Sequence, residues 1–256
     1  MIKAAFFDFD GTVYSHESKS VPESTLKALK ALREKGIKTF LATGRHFKEI
    51  EEFSVGELPF DGYIMLTGQI CTDENKNVVY GNAIDEKDAE YLLKAYKDKA
   101  MPIMLLESDR LYVNLINDVV VKGQAEISSP LPEVMEYEGA PVYQIICYGG
   151  KELERDLTDK LPNCKITRWS PFGVDIVSKT GGKVTGIKKM MEIHQISREE
   201  MMAFGDGEND MEMLEFAGIG VAMGNAEEQV KAVADHVTAG IDEDGILKAL
   251  QHLGIL

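Results

Sequence analysis

The sequence predicts an α/β fold, a parallel sheet core interrupted by a separate α+β domain, and three observations carry that prediction. Residues 1–66 read strand, helix, strand, helix, strand, the order that right-handed crossovers in a parallel sheet produce. Near Gly81 the rhythm changes to closely spaced strand candidates that suggest hairpins and an antiparallel sheet. From Lys183 onward the first rhythm returns. The core is accordingly assigned to residues 1–82 and 183–256 and the insertion to 83–182, with Gly81-Asn82 and Thr180-Gly181-Gly182 as the two hinges.

The opening strand is the apolar run Ala4-Ala5-Phe6-Phe7, which stops abruptly at Asp8-Phe9-Asp10-Gly11-Thr12. Alternation along a strand would point Asp8 and Asp10 the same way and turn Phe9 into the core. Pro22 to Lys35 has helical spacing at Leu26, Leu29, Ala31 and Leu32, and ends at Gly36, a helix stop. Ile37 to Ala42 is the second strand and runs straight into Thr43-Gly44-Arg45. A polar helix to about Phe53 and a strand from Tyr63 to Leu66 follow.

Within the insertion, Asp85 to Lys99 is helical, and strands at Ile103–Glu107 and Leu111–Ile116 flank the polar turn Ser108-Asp109-Arg110. A helix over Asp118–Glu126 and a segment with Pro130 and Pro132 come next. Val142 to Tyr148 is apolar enough for a buried strand, Lys151 to Leu161 is helical, and two strands flank Pro171-Phe172-Gly173. The core resumes with a helix over Lys183–His194 and a capping-box pattern at Ser197-Arg198-Glu199-Glu200. Met202 to Phe204 leads into Gly205-Asp206-Gly207-Glu208-Asn209-Asp210. A helix carrying Met211, Leu214 and Phe216, a strand at Ile219–Ala222, another helix and a last strand complete the pattern.

Composition excludes several classes of protein. The 256 residues, 44% hydrophobic and 28% charged, suit an ordinary globular protein with a sizeable core. A net charge of −15 without a basic run argues against nucleic acid or an anionic membrane as partner. An anionic substrate would therefore need a local metal and a few placed cations. Cys71, Cys147 and Cys164 are widely spaced, lack a Cys-x-x-Cys pair and read as reduced thiols. The five histidines show no metal-ligand spacing and are expected to be structural or exposed. Asp8 and Asp10 interrupt the N-terminal apolar run, so no signal peptide is visible, and no stretch is long enough to span a bilayer. A cytoplasmic location is expected.

The chemistry gathers at one edge. Ligands of an open parallel sheet bind at the carboxyl ends of its strands, and Asp8, Asp10, Thr43-Gly44 and Asp206 each stand where a strand candidate ends. Lys183 opens the helix that follows the insertion. Two neighbouring carboxylates repel, so one must take a proton or be given a cation. A hard divalent ion with oxygen ligands, Mg²⁺, answers that need. Each residue also has a plainer use: Thr43 can cap the next helix, and Asn209 and Asp210 can cap the Met211 helix. Arg45 is expected to be a solvated cation on an acidic protein.

Asp8-Phe9-Asp10-Gly11-Thr12, Thr43-Gly44-Arg45, Lys183 and Gly205-Asp206-Gly207-Glu208-Asn209-Asp210 resemble, in order, the four motifs of the haloacid dehalogenase superfamily. Val221-Ala222-Met223-Gly224-Asn225-Ala226 is similar to its Cof-type branch, which carries a large cap domain between the second and third motifs. The resemblance covers the whole chain and implies a Rossmann-like core with an α+β cap. Val13 after Thr12, where a leucine is commoner, is a minor departure. It implies Asp8 as nucleophile forming an aspartyl-phosphate, and Asp10 as the acid that protonates the leaving oxygen and then activates water. Mg²⁺ would be held by Asp8, the Asp10 backbone carbonyl and Asp206, with Asp210 in support. Thr43, the Gly44 and Phe9 amides, Asn209 and Lys183 would hold the phosphoryl oxygens.

The implied activity is a Mg²⁺-dependent phosphatase acting on small phosphorylated metabolites: sugar phosphates, or phosphorylated cofactors such as flavin mononucleotide or pyridoxal phosphate. Arg110, Tyr112, Asn114 and Trp169 are candidate cap contacts for the leaving group. A phosphomutase would use the same parts. A receiver-type signalling module also phosphorylates an aspartate, but is about half this length and lacks the insertion. A dehalogenase would not need Asp10, because halide leaves without a proton. A non-catalytic binder of a phosphorylated metabolite would not need the full set of acids.

Overall fold

The computed structural model describes residues 1–53, 58–127 and 129–256. The chain opens with β1 (Ala4–Phe7), α1 (Glu23–Glu34), β2 (Lys38–Ala42), α2 (Phe47–Glu51), β3 (Gly62–Met65), β4 (Ile70–Asp73) and β5 (Val78–Gly81). Its middle holds α3 (Glu86–Lys97), β6 (Ile103–Leu106), β7 (Leu111–Val113), α4 (Asp118–Glu126), β8 (Gln144–Tyr148), α5 (Lys151–Thr158), β9 (Cys164–Ser170) and β10 (Gly173–Ser178). It closes with α6 (Lys183–His194), β11 (Met201–Gly205), α7 (Met211–Phe216), β12 (Ile219–Ala222), α8 (Glu228–Lys231), β13 (His236–Val237) and α9 (Gly245–His252). Two compact units result. One comprises Met1–Arg45, Ile50–Tyr80 and Gly182–Leu256, and the other His46–Glu49 and Gly81–Gly181.

The first unit is built on an eight-stranded sheet of order β13-β12-β11-β1-β2-β3-β4-β5. From β13 to β3 every pairing is parallel, and β4 returns antiparallel to β3. Parallel strands are covered on both faces, which is why β1 is apolar at every position. Its alternation sorts the side chains: Ala5 and Phe7 join Leu41, Met202, Phe204 and Val221 on the face covered by α1 and α9. Ala4 and Phe6 join Phe40, Ala42, Ile64 and Ala203 on the opposite face with residues of α6 and α7. Ring stacks tie β1 to its neighbours, Phe6 on Phe40 and Phe7 on Phe204, each at 4.9 Å between centroids. The strand order reverses direction at β1, since β2 lies on one side and β11 on the other. Asp8, the first residue past β1, therefore emerges at the topological switch point.

The second unit is a five-stranded sheet of order β7-β6-β8-β10-β9 with every pairing antiparallel. Alternate residues Ile103 and Leu105, Ile145 and Cys147, and Val174 and Ile176 form one buried face with Leu92, Tyr96 and Leu157 from α3 and α5. Asp85 caps α3 by accepting from Lys87 N at 3.0 Å, and Asn117 caps α4 by accepting from Val119 N and Val120 N. The three cysteines are free and buried. Among the described residues, no helix is long and apolar enough to cross a membrane.

Two expectations need correction. The sequence reading stopped the first run of elements at β3, whereas β4 and β5 extend the sheet. The turn into β4 uses consecutive left-handed residues, Leu66 (φ 50°), Thr67 (φ 54°) and Gly68 (φ 82°), and only the glycine signals such a conformation in sequence. The chain also does not end on a strand: α9 follows β13, burying Ile246, Ala249 and Leu250 against the α1 face.

Gly68 has a second role, because a Cβ there would lie 2.0 Å from the Gly182 carbonyl oxygen. That contact sets the start of α6 directly on the β3–β4 turn. Gly68→Ala is expected to destabilise the protein by about 2 kcal/mol or more, through strain and displacement of α6; denaturant unfolding measures it.

On β10, Asp175 alternates with Val174 and Ile176 and stands on the other face of its sheet. Burial, with repulsion from Glu49, pushes its carboxyl up to about 7 against a hydrogen bond from Gln144. The folded state then holds a proton that the unfolded chain releases near pH 4, so this group costs stability as pH rises from about 4 to about 7. Asp175→Asn is expected to stabilise the protein by about 1–3 kcal/mol at about pH 8 and less at about pH 5.5, read from melting temperatures at the two values.

Candidate active site

Strand β1 delivers Asp8, whose backbone N–H still bonds Phe204 O at 2.9 Å and so remains in register with β11. Strand β11 delivers Asp206 through Gly205, and the 3₁₀ turn Glu208–Asp210 brings Asp210 back beneath it. The N-terminal residue of α6 is Lys183. Its Nζ donates to Asp8 Oδ1 at 2.5 Å and to Asp210 Oδ1 at 2.6 Å. All three side chains are buried, with Lys183 only 3% exposed. Asp210 Oδ2 accepts from the backbone N–H groups of Asp206 (3.2 Å) and Gly207 (3.0 Å), so its carboxylate is anchored on both oxygens.

Burial governs the electrostatics. It pushes the Asp8 carboxyl up to about 8, while Lys183 pulls it down and Asp210 and Asp10 push it further up. Burial also raises Asp206 to about 6, opposed by a hydrogen bond from the Thr12 hydroxyl. For Lys183 burial favours the neutral amine, but Asp8 and Asp210 outweigh it and hold the ammonium above the ordinary lysine range. Asp8, Asp206 and Asp210 offer oxygen atoms within 4.8 Å of one another. Three carboxylates against one ammonium leave negative charge to spare, and an all-oxygen donor set suits a hard divalent cation. The residues fit a metal ion such as Mg²⁺.

The Asp10 carboxylate stands outside that group, because β1 ends at Phe7 and strand alternation does not reach it. Asp10 pairs instead with Arg45, whose Nε and Nη2 reach Oδ2 (2.7 Å) and Oδ1 (2.9 Å). Arg45 is thus no merely solvated cation; its guanidinium also lies 4.5 Å from the centroid of the Phe53 ring. His16, which sequence reasoning passed over, places Nε2 at 2.8 Å from Asp10 Oδ1. No spacing rule singles out such a histidine, since it acts through a loop that folds back after Gly11.

The remaining candidates are placed as follows. Thr43 is buried at the end of β2, and its hydroxyl accepts from Arg45 N at 3.1 Å. Gly44 is half-buried beside it. Phe9 is buried and stacks on Tyr14, and its carbonyl accepts from Val13 and Tyr14. Asn209 is exposed in the turn before α7. In the second unit, Arg110 and Tyr112 both bond the buried Glu107 carboxylate at 2.5 Å. Asn114 spends its side chain on Ile103 N and the carbonyls of Tyr96 and Met101. Three of the four candidate contacts therefore carry hydrogen bonds within the second unit. Trp169 packs edge-on against Tyr148.

Acids and a lysine at the switch point of a parallel sheet suit phosphoryl chemistry, and the comparisons give the family. The chain belongs to the haloacid dehalogenase-like hydrolases, whose profile matches residues 5–250. YkrA of Bacillus subtilis is 35% identical over 99% of this chain and 98% of its own. The 5-amino-6-(5-phospho-D-ribitylamino)uracil phosphatase YitU of the same organism is 26% identical over 95% of this chain and 94% of its own. Among solved structures, the subclass IIB sugar phosphatase BT4131 is 38% identical with a TM-score of 0.80, over 99% of this chain and 100% of that one. BT1666 of Bacteroides thetaiotaomicron, from a study of phosphatases of the superfamily, is 34% identical with a TM-score of 0.86, over 100% of this chain and 96% of that one. Within the family this chain is a phosphatase, a phosphoric monoester hydrolase.

Removing the ammonium would leave two buried carboxylates facing each other. Lys183→Ala is expected to slow turnover about 10²–10³-fold. In the metal-free protein it is also expected to lose about 3–5 kcal/mol well above pH 8, and less towards neutral pH and below, because the Asp8 carboxyl, pushed up to about 8 even beside Lys183, then takes up a proton. Steady-state kinetics and urea unfolding at two pH values check both.

Proposed function

We propose that the chain hydrolyses small phosphorylated metabolites with the help of Mg²⁺, through an aspartyl-phosphate on Asp8. The observation that carries this reading is Lys183 held between Asp8 and Asp210, with Asp206 alongside. A carboxylate approaching a phosphate dianion meets a repulsion of about 4 kcal/mol per charge pair at about 4 Å and an effective dielectric of about 20. The Lys183 ammonium offsets part of it. Mg²⁺ held by Asp8, the Asp10 carbonyl, Asp206 and Asp210 would offset more and stabilise charge in the transition state.

In the first step an Asp8 oxygen bonds to phosphorus as the ester P–O bond breaks, and the leaving oxygen takes a proton from Asp10. In the second, Asp10 accepts a proton from water as that water attacks phosphorus, releasing inorganic phosphate and restoring Asp8. In this structure Arg45 holds both Asp10 oxygens and His16 also reaches Oδ1, which fixes the direction in which the carboxyl faces. Thr43, Lys183, Asn209 and the amides of Phe9 and Gly44 would bind the phosphoryl oxygens. The substrate class, sugar phosphates or phosphorylated cofactors, is supported by the names of BT4131 and YitU and by the small-molecule scale of their substrates.

The test is inorganic phosphate release from a panel of such compounds, with and without Mg²⁺, by the native protein and Asp8→Asn. Release that needs Mg²⁺, vanishes in Asp8→Asn and favours one compound class is the expected result. Phosphorylation of Asp8 without phosphate release would replace hydrolase by mutase. Undiminished release by Asp8→Asn would remove Asp8 as nucleophile.

A further inference from the structure

Asn225, in the stretch Met223-Gly224-Asn225-Ala226 after β12, is assigned no role by the reaction above. Its side chain nevertheless joins three segments of the first unit. Asn225 Nδ2 donates to Asp206 Oδ2 at 3.1 Å and to the Gly11 carbonyl at 2.9 Å, and Oδ1 accepts from Ile241 N at 3.0 Å. This assignment of the amide is the one that bonds: reversed, its oxygen would face a carboxylate and a carbonyl, both acceptors, and its NH₂ would face a donor. The residue before it is tethered too, since Gly224 N bonds Ala239 O at 3.0 Å.

The other side of Asp206 is held as well. Thr12 Oγ1 donates to Asp206 Oδ1 at 2.9 Å. Gly11 adopts φ +75°, and a Cβ there would fall 2.1 Å from Asp206 Oδ2. The carboxylate therefore rests against the Asp8–Thr12 loop, with one neutral donor on each oxygen. Its two companions are anchored differently: Asp8 and Asp210 both bond the buried ammonium, and Asp210 takes two backbone N–H groups besides. Asp206 is half-buried, and among its hydrogen bonds in the described residues no cation takes part. Left to itself, such a carboxylate would sample several rotamers and meet an ion in few of them.

We propose that Asn225 is a positioning residue for the metal site: together with Thr12 it fixes the Asp206 carboxylate in the orientation that meets the ion. A carboxylate retains acceptor capacity after one hydrogen bond per oxygen, so the arrangement orients Asp206 without using it up. Outer partners of this kind typically change metal affinity 10–100-fold when removed. The inference rests on the reading of Asp8, Asp206 and Asp210 as a Mg²⁺ site. It predicts an effect on ion affinity that is separable from the effect on chemistry. Asn225→Asp would add a charge beside Asp206 where a donor stood, and Asn225→Ala would only remove the donor.

The experiment is Mg²⁺ titration by calorimetry of the native protein, Asn225→Ala, Thr12→Val and Asp206→Asn, with urea unfolding of each metal-free protein. The expected result is a 10-fold or greater weakening of Mg²⁺ binding in Asn225→Ala and in Thr12→Val. Metal-free unfolding of Asn225→Ala should stay near native, and its turnover should recover as Mg²⁺ is raised to saturation. Native Mg²⁺ affinity in Asn225→Ala, whatever its stability, would reduce Asn225 to a bridge between loops and overturn the proposal. Turnover that stays low at saturating Mg²⁺ would also overturn it, by placing Asn225 in the chemistry. If Asn225→Ala fails to fold, Thr12→Val alone decides through the same titration. Failure of the underlying reading looks different: the native protein would bind no Mg²⁺, and Asp206→Asn would change nothing.

Discussion

A single ammonium buried between two carboxylates is the constraint on which the rest of this structure depends. Lys183 and its partners Asp8 and Asp210 are almost wholly withdrawn from water. Charges so placed are costly to desolvate and are tolerated only where the pairing is close and the remaining bonding capacity is used. Here the backbone donors on Asp210 and the short contacts to Lys183 meet that condition. A cluster of this kind is a poor source of stability, and in the proposed reaction it acts as a preorganised set of charges.

The fold supplies what the cluster needs. A parallel sheet covered on both faces gives rigid strand ends. The reversal of strand order at β1 sets the end of β1, with Asp8, beside the end of β11, with the Asp206 loop. Gly68 lets the first turn of α6 press against the β3–β4 turn, which sets how deep the lysine lies. The aromatic stacks Phe6–Phe40 and Phe7–Phe204 hold the central strands in register behind it.

Much of this was legible in the sequence. The apolar run Ala4–Phe7 ending in acids, the glycine after α1, and the return of the βα rhythm at Lys183 all act locally, so periodicity and breakers report them. The elements that escaped are those set by distant partners. The turn at Leu66-Thr67-Gly68 bends through non-glycine residues, and α9 is short and finds its place only against α1. Arg45 gave no local sign of its pairing, which depends on where the loop after β1 carries Asp10. His16 and Asn225 escaped for the same reason: each is a common polar residue whose meaning lies in what the chain brings opposite it. Arg110, Tyr112 and Asn114 carry hydrogen bonds within the second unit that their local sequence does not announce.

The pairing of β1 with β11 joins Ala4 to Met201, so the central strand waits for a neighbour about three-quarters of the chain away. Local contacts form early and distant ones late, since loop closure must come first. During synthesis, β1 emerges with its apolar residues unmatched on one side until the last quarter of the chain appears. The second unit, contiguous from Gly81 to Gly181 apart from four residues, has no such wait. The contacts of the inserted unit are therefore closer in sequence than those of the unit that begins the chain, and the cluster of Asp8, Lys183 and Asp210 joins segments among the most distant in sequence.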